Sequence, residues 1–415
     1  MKAKILVVVM SLFSGVVFAQ NHINSKISAG NKIDSLVYDY LNEINKDSIR
    51  STIQSLQNFQ TRFMLDTNRK SIANFIKDKY IKMGYENTVI DSFLTISNFD
   101  YFYNIVIQDT TWQYNVVATL QGVKYPDSIC IVGAHYDSFS DSALVRKTPG
   151  ADDDASGIAA AIEIARVFKN RNYQPEMSVK FIAFAAEELI LFSTESGSSF
   201  YAKKAKANNE KIKFIANNDM IGYDKTTSNW RSHFNCFTGM TWIKDYSSYI
   251  AESYSLITPL ILINNSWGDS HPFYENGFQT LHFDEFAYNP NYHKITDVVG
   301  SMNMDYCVEM TKISMAMLLE SSKSYTSLNA LDKQNNIIIY PNPAQDNCKI
   351  EFVVDKNEEV SLNVCDINGR LVHSRKIDAI IGKNNISLDI LDLNGVYFVK
   401  LISSKDTRVL RLIVL

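Results

Sequence analysis

Five cysteines in 415 residues, none in a C-x-x-C pair, leave no ligand set for a zinc ribbon. Beyond residue 19 no apolar run is long enough to cross a bilayer, so no membrane span is expected in the mature protein. Long-period repeats and low-complexity tracts are absent, and so is any excess of positive charge. With 41 Lys and Arg against 45 Asp and Glu, the net charge is −4 and there is no electrostatic footprint for nucleic acid. What the chain does have is 46% hydrophobic residues over a length that accommodates one large domain and a smaller one.

The first residues read Met1-Lys2-Ala3-Lys4, followed by an apolar stretch and a small residue at Ala19. That is the pattern of a secretory signal peptide over residues 1–19, cut to leave Gln20 first. Losing Lys2 and Lys4 with it takes the net charge from −4 to −6. Export permits disulfides. Among Cys130, Cys236, Cys307, Cys348 and Cys365, the candidate pair is Cys348 with Cys365, and the odd count leaves at least one thiol unpaired within the chain.

Helical apolar spacing runs from about residue 49 to 83, through Ile53, Leu56, Phe59, Ile72, Phe75 and Ile76. Residues 128–134 (SICIVGA) and 178–184 (SVKFIAF) are continuous apolar strands, suited to a sheet covered on both faces. A third strand opens at Phe214. Residues 155–169 and 304–320 read as helices, and such alternation predicts a largely parallel sheet between helical layers. Residues 321–336 are polar and read as a linker. Beyond them lie short alternating strands with turn signals at Asn368-Gly369 and Asn394-Gly395, which predict an all-β sandwich.

Chemistry-bearing residues recur where strands end. His135 and Asp137 follow the first apolar strand, Asp152-Asp153-Asp154 precede a helix, Glu187-Glu188 follow the second strand, and Asp219 follows the third. His293 stands on a late loop. Each cluster alone has an ordinary explanation. Asp152–Asp154 would serve as helix caps, and His293 alone would be a surface histidine. Together they gather two imidazoles and several carboxylates at the carboxyl edge of one sheet, where open α/β sheets bind ligands, and that set suits a two-metal hydrolytic site.

The stretches VGAHYDS, GADDDASGIAA, FAAEEL, NDMIG and NYHKITD resemble those of the secreted bacterial leucyl-type aminopeptidases with co-catalytic zinc. The likeness covers most of residues 45–320. It implies a three-layer α/β zinc-exopeptidase domain with a mostly parallel mixed sheet and two Zn²⁺ per monomer. By that resemblance His135 and Asp219 hold one zinc, Glu188 and His293 the other, and Asp153 bridges them. Glu187 matches the general base and acid, Asp137 the residue that orients His135, and Tyr292 a position that assists the tetrahedral intermediate. The peptide joining Asp153 to Asp154 matches one that is often cis. Relatives often read S-D-H-x-P-F where this chain has Gly268-Asp269-Ser270-His271-Pro272-Phe273, which leaves the residue preference of the pocket open.

The expected activity is release of single, mostly apolar, N-terminal residues from peptides by a water that the two zinc ions activate. The alternatives are a glutaminyl cyclase on the related one-zinc fold and a non-catalytic surface-binding protein. Residues 335–352, 366–372, 393–401 and 408–415 resemble the C-terminal sorting domain of type IX secretion cargo. The expected organisation is therefore a signal peptide at 1–19, a di-zinc aminopeptidase domain at 20–322, a linker at 323–336 and a β-sandwich sorting domain at 337–415. Its partners would be peptide substrates and, during export, the Sec translocon and the type IX machinery. Passage through the periplasm would end in secretion or display at the cell surface.

Overall fold

A computed structural model of the chain describes residues 35–101, 105–140, 147–189, 193–264, 268–321, 337–354, 356–367, 369–404 and 407–414. The expected signal peptide at 1–19 and linker at 323–336 lie outside the described residues, as does Asn368 of one expected turn.

The larger region is built on eight strands: β1 (Val89–Tyr101), β2 (Ile105–Leu120), β3 (Tyr125–His135), β4 (Met177–Phe184), β5 (Lys211–Asn218), β6 (Arg231–Cys236), β7 (Thr258–Ile263) and β8 (Thr280–Glu285). They lie in the order β1-β2-β4-β3-β5-β8-β6-β7. Strands β4, β3, β5 and β8 run parallel at the centre. Strand β2 joins β4 antiparallel on one side, and β6 joins β8 antiparallel on the other. The sheet is mixed with a parallel heart, as expected.

Among the described residues eight α-helices accompany it: α1 (Ser35–Leu41), α2 (Lys46–Gln57), α3 (Arg69–Lys82), α4 (Ala155–Asn170), α5 (Gly197–Ala207), α6 (Thr241–Tyr254), α7 (Ser270–Glu275) and α8 (Met304–Ser321). Strand side chains alternate between faces, and the central strands bury both. Cys130, Val132 and Ala134 of β3 join a core with Ile53 of α2, Ile158 of α4 and Met310 of α8. Ile129 and Ile131 join a second core with Tyr201 and Ala205 of α5 and Phe273 of α7. Three layers result, and the continuous apolar runs of β3 and β4 are explained by burial on both sides.

The C-terminal region is all β, with β9 (Ile337–Tyr340), β10 (Asn347–Val354), β11 (Glu358–Asp366), β12 (Leu371–Ala379), β13 (Gly382–Asp389), β14 (Gly395–Ile402) and β15 (Thr407–Val414). Sheets β13-β10-β9 and β12-β11-β14-β15 enclose a separate apolar core that includes Ile350, Phe352, Leu362, Val399 and Leu412. The sequence reading misses β12, because most of its side chains are exposed and it carries His373, Arg375 and Lys376 rather than an apolar face.

All five cysteines are free thiols, so the expected Cys348–Cys365 bond is not formed. Cys348 lies on β10 within the apolar core of one sheet, whereas Cys365 follows Val364 across a bulge in β11, on the other. Burial pushes the Cys348 thiol up to about 11 and keeps it a neutral core residue. The two regions touch where Arg411 of β15 donates from Nη2 to Glu320 Oε2 of α8 at 2.8 Å, with its guanidinium over the Tyr249 ring of α6.

Candidate metal centre

The register of the parallel strands levels their ends. His135 pairs with Phe184, and Gly133 with Asn217. His135, the Ala185–Glu188 turn and Asp219 therefore emerge side by side at one sheet edge. Ala186, Met220 and His293 all have positive φ, at 61°, 50° and 54°. For non-glycine residues this is a sparsely populated conformation, and it clusters at functional sites. The Asp153–Asp154 peptide is cis.

Asp153 stands between the two histidines. Its Oδ1 lies 3.2 Å from His135 Nε2 and its Oδ2 lies 3.4 Å from His293 Nε2. His135 Nε2 is also 3.5 Å from Asp219 Oδ1, and His293 Nε2 is 3.0 Å from Glu188 Oε2. All five expected ligands are thus brought together at one sheet edge. Glu187 Oε2 reaches to 3.9 Å of His135 Nε2. The ring of Tyr292 stacks on that of His293, with centroids 3.8 Å apart.

Asp137 meets both His135 and the glutamate turn. His135 Nδ1 donates to the main-chain carbonyl of Asp137 at 3.2 Å, with the carboxylate farther away at 3.7 Å. That bond leaves the Nε2 lone pair for a cation. The Asp137 carboxylate instead accepts the backbone N–H groups of Glu187 and Glu188, each at 3.1 Å, and so aims both glutamates.

Several supporting residues are invisible in the sequence clusters. The Asp297 carboxylate accepts the N–H groups of Asp152 and Asp153. Asp152 in turn accepts from Gly222 N–H at 2.7 Å and from the Asn289 amide at 2.8 Å. Asp154 caps α4 by accepting from Gly157 N–H at 2.8 Å. Arg62, fully buried, donates to the carbonyls of Tyr136, Pro149 and Gly150 at 2.7, 2.6 and 2.6 Å, clamping the loops on either side of the ligands. Gly150 has φ +54°, and a Cβ there would lie 2.5 Å from the Asp153 carbonyl and 2.6 Å from Arg62 Nη2, so the clamp requires glycine. Asp297 and Arg62 fall within stretches that carry the family resemblance, which is the one signal that could have found them.

The electrostatics are those of a site short of positive charge. Burial, then Asp153, pushes Glu188 up to about 7, and burial raises Glu187 well above the usual carboxylate range. Burial alone would lower His293, but Glu188 and Asp153 hold it near 11. Burial would raise Asp153, but hydrogen bonds from His135 and His293 outweigh it and hold the group low.

The residues fit a divalent cation. Ligand atoms of His135, Asp153 and Glu188 lie within 4.8 Å of one another, as do those of His135, Asp154 and Asp219. Glu188 Oε1 and Asp154 Oδ2 are buried without a hydrogen-bond partner, acceptors that a cation would satisfy. Imidazole with carboxylate is a donor set that suits zinc.

The three-layer α/β architecture, with these donors at the ends of its central strands, resembles the fold of solved zinc aminopeptidases. Residues 115–318 match peptidase family M28, and residues 338–415 match a secretion system C-terminal sorting domain. A probable zinc metalloprotease of Pyrenophora tritici-repentis is 31% identical over 205 residues, which are 46% of this chain and 45% of that protein. The chain thus spans less than half the length of that relative. A probable aminopeptidase of Saccharomyces cerevisiae is 25% identical over 69% of this chain and 75% of its own. In fold, a zinc aminopeptidase from Bacillus subtilis matches with a TM-score of 0.55 at 18% identity, covering 68% of this chain and 96% of that one.

Proposed function

We propose that the chain is an exported metallo-aminopeptidase that hydrolyses N-terminal residues from peptides. His135 and Asp219 would hold one zinc, His293 and Glu188 a second, and Asp153 would bridge them. The observation that carries this reading is the Asp153 carboxylate, whose two oxygens face two different imidazoles. When bound, zinc supplies Lewis acidity, lowering the pKa of water and polarising the scissile carbonyl.

The chain's own residues do the rest. Glu187 is partly accessible, and its raised proton affinity suits a group that takes a proton from water and returns it to the departing amine. Asp137 fixes Glu187 and Glu188 through their backbone, so proton carrier and ligand are set by one anchor. Tyr292, stacked on His293, stands beside the site with its phenol raised by burial and by Asp153 and Glu188. It would serve the developing oxyanion as a neutral donor. The carboxylates supply counter-charge for a free α-amine, which explains cleavage from the N-terminus.

Export is supported by the sorting domain at 338–415 and by the signal-like first 19 residues. No helix among the described residues is long and apolar enough to cross a membrane. One experiment tests the whole: count zinc in the purified mature protein and assay one peptide with a free and with an acetylated N-terminus. Two zinc ions per monomer and turnover of the free peptide alone are expected. Equal cleavage of both peptides, or cyclisation of an N-terminal glutamine in place of hydrolysis, overturns the proposal.

A further inference from the structure

A second polar cluster adjoins the metal centre and takes no part in it. Strands β6 and β8 pair antiparallel, with His233 opposite Asp284 and Asn235 opposite His282. That register sets all four side chains on one face of the sheet. Asp284 Oδ1 accepts from His233 Nδ1 at 2.8 Å, and Oδ2 accepts from the Asn235 amide at 3.1 Å. His282 is buried, and its Nε2 sits 3.9 Å from Asp284 Oδ2 and equally far from Asp219 Oδ2, beyond hydrogen-bond reach of either. The cluster therefore begins at a metal ligand and leads outward, from His282 with 7% of its side chain exposed to Asp284 with 24%.

Gly268 marks where the two sites join. A Cβ built on it would lie 3.1 Å from His282 Cε1 and 3.4 Å from both Asp219 Oδ2 and Glu187 Oε1. One backbone position thus faces the ligand, the proton carrier and the start of the second cluster. For a substrate held at Asp219 and Glu187, His282 is the next group at that position, and Asp284 lies 3.9 Å beyond its Nε2.

The lining is rich in acceptors. Besides the Asp284 carboxylate, Asn235 Oδ1 is buried with no hydrogen-bond partner. The nearby guanidinium of Arg231 lies over the Phe286 ring at 3.7 Å. An apolar side chain here would strip water from a carboxylate and give nothing back, whereas an ammonium or guanidinium adds a charged donor to those of His233 and Asn235.

Resting on the aminopeptidase reading, we infer that Asp284, supported by His233, Asn235 and His282, selects peptides whose N-terminal residue is lysine or arginine. This replaces the apolar preference expected from the sequence. The test is a panel of lysyl-, arginyl-, leucyl- and alanyl-p-nitroanilides on the zinc-loaded full-length protein, followed by Asp284→Asn and Asp284→Glu. The expected wild-type order places the basic substrates first. Asp284→Asn is expected to reduce the lysyl-to-leucyl ratio of kcat/KM by about 10²-fold, mainly through KM, and Asp284→Glu to restore part of it. A wild-type preference for leucine, or a ratio that Asp284→Asn does not move, overturns the inference while leaving the aminopeptidase intact. No turnover of any of the four overturns the activity itself and the inference with it.

Discussion

Residues 35–321 and residues 337–414 both bury apolar cores, but they treat charge in opposite ways. In the first region Asp137, Asp152, Asp153, Asp154, Asp219, Asp269 and Asp297 are all buried. In the second, cross-strand pairs such as Lys376–Glu359 stay in solvent, with 72% and 52% of their side chains exposed. Its core is aliphatic, with Phe352 and a cysteine. Burying an uncompensated carboxylate is strongly unfavourable. A protein that buries so many at the ends of its strands reserves the place for a cation. The sandwich has no such reservation and is built for shape.

The sharpest way to break this contrast is at the paired glutamates. Glu187→Gln is expected to lower kcat by about 10²–10⁴-fold, the usual range for a general acid–base step, with zinc content unchanged. Glu188→Gln is expected to lose zinc. Metal analysis and kcat on both variants decide the matter, and the opposite pattern means that the roles are exchanged.

Next in size is Arg62→Met. It removes the arginine's donors from the buried carbonyls of Tyr136 and Pro149, at about 1–3 kcal/mol for each unmet group, whereas Gly150 keeps the Ala155 N–H. Urea unfolding is expected to show destabilisation of that order and zinc affinity to fall, since both ligand loops loosen. Unaltered stability and affinity would mean that the buried arginine is incidental.

Zinc affinity itself is expected to rise with pH. With Glu188 near 7 and His293 near 11, the metal-free site holds protons at neutral pH, and a cation must displace them. Titration calorimetry between pH 6 and 8, in buffers of different ionisation enthalpy, measures both the slope and the proton release. An affinity independent of pH would contradict the charge deficit described for the site.

The smallest effect is expected from removing residues 323–415. Catalysis should be unchanged, because the sandwich contributes none of the proposed ligands, while the protein accumulates in the periplasm of its host. Stability should fall modestly, as Glu320 loses Arg411. Normal secretion of the shortened chain would end the sorting assignment.

The sequence makes some of this legible and hides the rest for physical reasons. Strands β3 and β4 announce themselves because both faces are buried, and the acids and histidines at their ends stand out against that apolar background. Strand β12 is silent because most of its side chains meet water. Arg62, Asn289 and Asp297 act through partners far away in the chain, so their roles cannot be read from local spacing, even though Asp297 closes the NYHKITD stretch. His282 and Asp284 read as ordinary strand residues until the pairing of β6 with β8 sets His233 and Asn235 beside them. Asp137 is seen in the sequence, but its hold on the Glu187 and Glu188 backbone is not.

The Arg62 clamp also sets a floor on how far the protein can be trimmed. The match to peptidase family M28 begins at residue 115, yet the loops flanking the ligands are tied to a side chain well upstream, between α2 and α3. Backbone contacts reinforce the tie, since Thr148 N–H donates to the Gln60 carbonyl at 2.9 Å. A self-sufficient unit therefore has to include Gln60 and Arg62, well upstream of β1. A chain cut at residue 115 would part the loops that carry the candidate ligands from the arginine that ties them together.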